Sequence, residues 1–233
     1  MAVNRISSGI KGFDKLTGGG FKKGSINLIA GGPGSGKTIF AIQFLVEGIK
    51  NGENGIYITF EEKKEKVYNY ILESFGWDLM KYEREKKFIF LEYTPEQVKK
   101  VLIEGGCIVD TLITVNKIKR LVIDSVTSFS LLYENELSRK QAALALFQLI
   151  NKWKCTAILT SQDISQKEHF ISAAAEFEVD SIILAYHVKS KGERVRALEI
   201  LKMRGTDYSE KTVSMDIVDK KGIEIDPAKT VVF

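Results

Sequence analysis

The sequence predicts an α/β fold in which a mainly parallel, twisted sheet carries helices on both faces. Apolar, β-branched runs of strand length alternate with helix-period segments through the first two thirds of the chain, a pattern typical of parallel strands joined by helices. The last third contains four strand-like runs with short polar connections, which we expect to extend one side of the sheet as an antiparallel, β-rich extension. The chain has 233 residues, so we expect a single domain over residues 1–233.

Local patterns place the elements in chain order. The strand-length runs are Ser25–Ala30, Gly55–Phe60, Phe88–Leu91, Leu121–Asp124, Cys155–Ser161, Ser181–Tyr186, Val195–Lys202, Thr212–Ile217 and Gly222–Ile225. Helical periodicity predicts helices over Lys37–Ile49, Lys64–Phe75 and Ser138–Trp153, the last with an apolar stripe of Ala143, Leu146, Phe147 and Ile150.

A further helix is predicted to begin at Thr94. Pro95 falls at its first position and Gln97 follows the cap by three residues, a spacing typical of a capping box. Gly105 and Gly106 mark the point where we expect this helix to break or bend.

Composition and charge restrict the class of protein. The chain is 44% hydrophobic and 27% charged, which is ordinary for a globular protein. Its net charge of +4 permits contact with nucleic acid without requiring it. Cys107 and Cys155 lie far apart in apolar surroundings, which favours two buried thiols over a disulfide or a metal site. With no secretory signal and no apolar run of bilayer length, we expect a cytoplasmic protein without membrane contact.

Residues 31–38 match the phosphate-loop pattern G-x-x-x-x-G-K-[ST], between a predicted strand and a predicted helix. They are Gly31, Gly32, Pro33, Gly34, Ser35, Gly36, Lys37 and Thr38. The glycines let backbone N–H groups converge on phosphate oxygens, Lys37 supplies a charge for the β- and γ-phosphates, and the Thr38 hydroxyl can coordinate Mg²⁺. We expect ATP with Mg²⁺ as the ligand, because a turn that binds nothing would not explain the Lys-Thr pair.

An acidic residue, Asp124, ends the apolar strand that begins near Arg120. This is the arrangement of a Walker B element, in which Asp124 would hold Mg²⁺ through water while Thr38 holds it directly. A helix-capping aspartate is the alternative interpretation, and the pairing with the phosphate loop favours the metal.

Two glutamates, Glu61 and Glu62, follow the strand Gly55–Phe60. A carboxylate here could lie beside the γ-phosphate and orient the attacking water. Alternatively, both are first-turn residues of the next helix, where negative charge is favourable. Spacing alone does not decide between the two interpretations.

Five stretches together resemble the KaiC-like and RadA-paralogue branch of the RecA superfamily of P-loop NTPases. They are Arg5–Asp14 with Gly18–Phe21, Gly31–Thr38, Thr59–Glu62, Leu121–Thr127 and Leu198–Thr206. The resemblance implies a RecA-like fold and a water polarised by Glu61, with Glu62 as a second candidate. The chain has one phosphate loop, whereas the circadian-clock KaiC protein has two such domains, and no segment of the chain matches the phosphorylation-site segment of that protein, so the resemblance does not extend to autokinase activity.

The resemblance also implies roles for three later residues. Lys202 and Arg204 are two apart on a predicted strand, hence on one face, and would reach a neighbouring subunit's nucleotide in a homo-oligomer. A solvated strand edge protected by charge is the alternative interpretation. Gln162 matches a γ-phosphate sensor position, and a loop glutamine that faces water is its alternative. A chain without its neighbour would be a slow ATPase.

Three functions compete for this ATP site. The first is a RecA-like ATPase that modulates DNA recombination or repair by binding single-stranded DNA, with Lys167, His169 and Phe170 in a candidate DNA loop at 163–179, although that segment also holds four acidic residues. The second is a KaiC-like signalling ATPase that acts through protein partners without DNA. The third is a small-molecule kinase, against which Glu61 argues. The first two rank close together.

Overall fold

The computed structural model describes residues 4–94, 96–97, 100–101, 107–130, 133, 135–162, 178–190 and 192–233. The strands are β1 (Arg5–Ile6), β2 (Phe21–Lys22), β3 (Ile26–Ala30), β4 (Asn54–Thr59), β5 (Phe88–Glu92), β6 (Ile118–Asp124), β7 (Thr156–Ser161), β8 (Ser181–Ser190), β9 (Glu193–Met203), β10 (Val213–Val218) and β11 (Gly222–Thr230). The helices are α1 (Phe13–Leu16), α2 (Lys37–Lys50), α3 (Lys64–Phe75), α4 (Leu79–Arg84), α5 (Cys107–Val115), α6 (Val126–Ser130) and α7 (Glu136–Trp153).

Nine of these strands form one mixed sheet in the order β11-β10-β9-β8-β3-β7-β6-β4-β5. The predicted α/β fold with a parallel body and an antiparallel extension is confirmed. One detail differs, because β8 still runs parallel to β3, and antiparallel pairing begins between β8 and β9. The connection over residues 162–180 accounts for this, since a parallel crossover needs a dozen or more residues.

Helices cover both faces of the sheet, as predicted. On one face, α2 and α3 pack against the strands through a core that includes Phe40, Phe44, Val67 and Ile71. On the other face, α5 and α7 contribute Val109, Ile113 and the predicted stripe of Ala143, Leu146, Phe147 and Ile150, all buried. Both faces of the parallel strands are therefore apolar, which explains why they read as continuous apolar runs.

The N-terminal segment, residues 4–25, contains elements that are too short to show periodicity in the sequence. The two-residue strands β1 and β2 pair with each other, and α1 has four residues. Phe13 and Phe21 bring this segment onto α2, where the Phe13 and Phe40 rings meet edge to face with centroids 5.4 Å apart. The segment thereby packs against the helix that follows the phosphate loop.

The predicted capping box at Thr94 is present. The Thr94 N–H donates to Oε1 of Gln97 at 2.8 Å, and the Gln97 N–H donates to Oγ1 of Thr94 at 3.4 Å. Pro95, Gly105 and Gly106 lie outside the described residues.

Cys155 is buried and free, as expected. Burial raises the pKa of its thiol to about 11, so the thiol stays protonated and behaves as a small apolar group. The side chain of Cys107 lies outside the described part of the chain. No helix among the described residues has the length and apolar character needed to cross a bilayer.

Candidate nucleotide-binding site

The phosphate loop lies at the carboxyl edge of the parallel strands, between β3 and α2. The neighbouring strands β4, β6 and β7 end at the same edge, because they run parallel to β3 or to its neighbours. One cleft results, and its lining contains the predicted site residues Pro33, Gly34, Lys37, Thr38, Glu61, Glu62, Asp124 and Gln162, together with Thr59 and Ser125, which were not predicted. The parallel topology therefore brings together residues that are up to about 130 positions apart in sequence.

The glycines of the loop are required by its backbone shape. Gly34 and Gly36 have φ of 74° and 95°, in the left-handed region that disfavours residues with a side chain. At Gly31 a Cβ would lie 2.0 Å from the carbonyl oxygen of Ala185. The loop therefore runs too close to β8 to tolerate a side chain at its first position.

The ammonium group of Lys37 lies over the loop itself. It donates to the carbonyl oxygens of Gly31 at 2.6 Å and Gly32 at 3.0 Å. The hydroxyl of Ser35 is fully buried and has no hydrogen-bond partner among the described residues. A buried donor without an acceptor, beside a lysine and a glycine-rich turn at a helix N-terminus, fits a loop built to receive an anion.

Asp124 is surrounded by three hydroxyl donors. Its Oδ2 accepts hydrogen bonds from Thr38 at 2.8 Å and from Tyr57 at 2.6 Å, and Thr160 donates to its Oδ1. These donors fix the carboxylate next to the Thr38 hydroxyl. The resulting pair of hard oxygen atoms suits Mg²⁺.

Tyr57 is fully buried in β4. Burial raises the pKa of its hydroxyl well above the usual value, and the adjacent charge of Asp124 adds to the rise. The hydroxyl therefore remains protonated and acts as a donor to the carboxylate at any physiological pH.

Glu61 lies at the mouth of the cleft rather than in a helix. Helix α3 begins at Lys64 with Lys63 as its cap, so Glu61 precedes the first turn. Its Oε1 accepts hydrogen bonds from Ser125 at 2.9 Å and from Ser128. The serines that follow the Asp124 strand hold this carboxylate on the cleft side.

Glu62 is held by α3 instead. It forms an ion pair with Lys66 at 3.0 Å and accepts a hydrogen bond from Tyr70 at 3.4 Å. Both partners lie on α3, so the helix engages the Glu62 carboxylate, whereas the Glu61 carboxylate is held by serines that follow β6. Gln162 lines the cleft from the end of β7, and its N–H donates to Oγ1 of Thr127 at 2.8 Å.

Lys202 and Arg204 are not brought to this cleft. Lys202 donates to the carbonyl of Val179 at 3.0 Å, and the N–H of Arg204, one residue past β9, donates to the carbonyl of Asp180 at 2.8 Å. Asp180 also accepts from the N–H of Ile26, the first residue of β3. Both basic residues therefore lie at the amino edge of the sheet, opposite the phosphate loop of the same chain.

Sequence reasoning missed several contacts at the site. Tyr57 and Thr160 donate to Asp124, and the Nε of Arg196 donates to the carbonyl of Gly34 at 2.9 Å. The signal for Tyr57 was a hydroxyl placed between apolar residues of a buried strand, since a buried tyrosine needs a partner. Arg196 carried no such signal, because its partner lies 162 residues away.

Comparisons with known proteins show the family of this chain. The model of a family described as the KaiC ATPase matches residues 6–230. The circadian clock protein KaiC3 of Synechocystis is 35% identical over 98% of this chain, which spans about half (47%) of that protein. A UPF0273 protein of Pyrococcus furiosus is 35% identical and is covered almost completely, with 97% of this chain and 96% of that one aligned.

A solved structure shows the same fold. The crystal structure of a KaiC-like protein from the hyperthermophilic archaeon Pyrococcus horikoshii superposes with a TM-score of 0.86 at 33% identity. The match covers 97% of this chain and 100% of the other.

Proposed function

Because the chain belongs to the KaiC family of ATPases, we propose that it binds ATP in the cleft over the phosphate loop and hydrolyses it slowly with Mg²⁺. The observation that carries this proposal is the contact of Thr38 with Asp124 at 2.8 Å. It joins a P-loop hydroxyl to a strand-end carboxylate at the floor of a cleft that Glu61 borders.

The residues of the loop would bind the phosphates. Backbone N–H groups of the loop would donate to phosphate oxygens at the start of α2. Lys37 would exchange the carbonyls of Gly31 and Gly32 for the β- and γ-phosphates, because an ammonium binds an anion more strongly than a neutral carbonyl. Thr38 would hold Mg²⁺ directly and Asp124 through water, and the bound ion supplies charge neutralisation on the phosphates.

Glu61 would orient the attacking water. Its carboxylate is fixed by Ser125 and Ser128 at the cleft mouth and can accept a proton from water placed in line with the γ-phosphate. Gln162 borders the same cleft and would contact the γ-phosphate. Glu62, which is occupied by Lys66 and Tyr70, would contribute less.

The cation that stabilises the transition state would come from another subunit. Lys202 and Arg204 lie at the opposite edge of the sheet from their own phosphate loop, so they could serve only a neighbour's nucleotide. A finger of this kind is worth about 10³-fold or more in rate. We therefore propose a homo-oligomer with shared sites, in which a lone subunit hydrolyses ATP slowly.

The partner of the ATPase is proposed as single-stranded DNA, with a role in recombination or repair. The support is the basic and aromatic content of the 163–179 segment, with Lys167, His169 and Phe170, most of which lies outside the described residues. The alternative is a signalling ATPase that acts through protein partners without DNA, and its support is the similarity to a protein named for the circadian clock.

Phosphate release and DNA binding, measured side by side, test these proposals. We expect release with Mg²⁺ but not with EDTA. A labelled single-stranded oligonucleotide should bind in the presence of ATP and lose affinity between about 50 and 200 mM salt. Hydrolysis without oligonucleotide binding would support the signalling alternative. No Mg²⁺-dependent release at any protein concentration would contradict the ATPase itself.

A further inference from the structure

The hairpin of β8 and β9 leans over the tip of the phosphate loop. His187 of β8 and Arg196 of β9 lie opposite each other in register. A Cβ at Gly34 would come within 2.9 Å of Nδ1 of His187, so the imidazole covers the loop tip. Next to it, Nε of Arg196 donates to the carbonyl of Gly34 at 2.9 Å.

This contact fixes one peptide unit of the loop. The carbonyl of Gly34 and the N–H of Ser35 belong to the same planar peptide group. Arg196 holds the carbonyl from outside the loop, while the Ser35 N–H donates to the carbonyl of Gly32 at 3.3 Å inside it. A peptide unit held from both sides cannot rotate without losing a hydrogen bond, so the loop tip is pre-organised for a bound phosphate.

The strand that carries Arg196 also leads to the opposite edge of the sheet. Lys202 follows Arg196 by six residues, which is roughly 20 Å at about 3.3 Å per residue. Between them β9 pairs with β8, with one register irregularity between the Ile183–Ile200 and Ile182–Lys202 pairs, and with β10 at Ala197 and Leu198. Strand β9 thus runs as one paired strand, with a single irregularity, from the contact of Arg196 with the phosphate loop to Lys202.

We propose that Arg196 is a positioning residue for the phosphate loop, and that β9 transmits nucleotide occupancy from this loop to Lys202. The second part rests on the proposed function, because Lys202 and Arg204 matter only if they serve a neighbour's nucleotide. Any displacement of the Gly34 carbonyl on nucleotide binding would act on Arg196 through their hydrogen bond, and β9, paired with β8 and β10, would carry it toward the basic residues near its far end.

The first test compares Arg196→Gln with Arg194→Gln. Arg194 is a matched control, since it lies two residues away on the same strand and contacts the carbonyl of His187 instead of the loop. We expect Arg196→Gln to weaken ADP binding, measured by calorimetry, about 3- to 10-fold, and Arg194→Gln to change it less than about twofold. Arg196→Lys should regain most of the loss, because an ammonium can also donate to the Gly34 carbonyl.

Equal ADP affinity in folded Arg196→Gln and wild type would overturn the positioning role, as would failure of Arg196→Lys to regain affinity. If Arg196→Gln does not fold, Arg196→Ala is compared with Arg194→Ala instead, and a loss of about threefold or more in ADP affinity is expected only at position 196. Wild type that binds no ADP would refute the proposed function itself rather than this inference.

The second test measures coupling along β9. At roughly 20 Å, the effects of Arg196→Gln and Lys202→Ala on kcat/KM for ATP should multiply if the sites are independent. We expect the double variant to depart from the product by about threefold or more, while Arg194→Gln with Lys202→Ala follows the product. If the effects multiply in both double variants, transmission along β9 is overturned. The positioning role of Arg196 is then decided by the first test alone.

Discussion

The buried hydroxyl of Tyr57 donates to Oδ2 of Asp124 at 2.6 Å, from a strand adjacent to the one that Asp124 ends. The same oxygen accepts from Thr38. A neutral tyrosine therefore helps to set the orientation of the carboxylate that we assign to Mg²⁺. Since burial raises the pKa of this tyrosine, the contact does not depend on pH in the physiological range.

Replacing Tyr57 with Phe removes one of the three donors to Asp124 and leaves the aromatic packing in place. We expect the Mg²⁺ concentration for half-maximal hydrolysis to rise about 3- to 10-fold, because two of the three donors still orient the carboxylate and the loss is about that of an ordinary hydrogen bond. The measurement is a Mg²⁺ titration of phosphate release. Tyr68→Phe is the control, because the Tyr68 hydroxyl contacts Glu83 away from the cleft. An unchanged titration in Tyr57→Phe would contradict the role.

Lys37→Ala removes the only cation that the described part of the chain places among the cleft-lining residues. We expect ATP affinity to fall at least about tenfold and hydrolysis to be lost, because a charge-assisted contact to phosphate disappears. Equilibrium binding of ATP and phosphate release measure the two effects. Undiminished binding and turnover in a folded variant would remove the central claim about the site.

Glu61→Gln should leave ATP binding intact and reduce turnover by about 10²-fold or more, the usual range for a lost general base. Glu62→Gln should reduce turnover less, since the Glu62 carboxylate is bound to Lys66 and Tyr70. Single-turnover hydrolysis separates the chemical step from binding. Turnover of Glu61→Gln at the wild-type rate would refute the assignment of the water-orienting glutamate.

Mixing two inactive variants tests the shared site. Glu61→Gln retains an intact Arg204, and Arg204→Ala retains an intact Glu61. If each site uses both residues from adjacent subunits, some interfaces in the mixture are complete and part of the activity returns. Activity per subunit should also rise with protein concentration. If the mixture is as inactive as its components and specific activity does not change with protein concentration, the shared site is refuted. Lys202 and Arg204 are then best explained as surface charges.

A stability prediction concerns Arg120, whose side chain is 1% exposed in β6. Its Nε pairs with Glu53 at 2.7 Å, and its guanidinium also donates to the carbonyls of Ser7 and Phe44. Arg120→Met removes these hydrogen bonds and leaves the Glu53 carboxylate without its ion-pair partner, so we expect the free energy of unfolding to fall by about 3 kcal/mol. Glu53→Gln should cost less, since the guanidinium keeps its carbonyl partners. Urea denaturation measures the free energy of unfolding of each variant. A value for Arg120→Met equal to that of the wild type would contradict the prediction.

The sequence was sufficient wherever a local pattern determines the structure. Helix α3 matches its predicted bounds, Lys64–Phe75, because one apolar stripe and the flanking Gly76 define it. The phosphate loop and Asp124 were found because their motifs lie next to buried parallel strands. By contrast, β8 extends four residues beyond the predicted end at Tyr186, since the polar residues His187 and Lys189 end the apolar run but still pair with β9.

Contacts between distant segments could not be predicted in this way. Tyr57 and Asp124 are 67 residues apart, and Arg196 and Gly34 are 162 apart. Such residues meet only because of the order of the strands in the sheet. A local sequence pattern does not determine that order. The difference between Glu61 and Glu62 likewise depends on Ser125, a residue beyond the end of another strand.

The central position of β3 has a consequence for synthesis of the chain on the ribosome. Its partners on both sides come late. The Asn27 amide donates to the carbonyl of Ala157, 130 residues downstream, and Asn27 accepts from the hydroxyl of Ser181, 154 residues downstream. At about 5–20 residues per second, roughly 6 to 26 s separate β3 from its first partner. All five residues of β3 are buried in the finished sheet, so the nascent chain must hold an apolar, unpaired strand for that time. The loop that β3 supports would be among the last parts of the protein to form during translation.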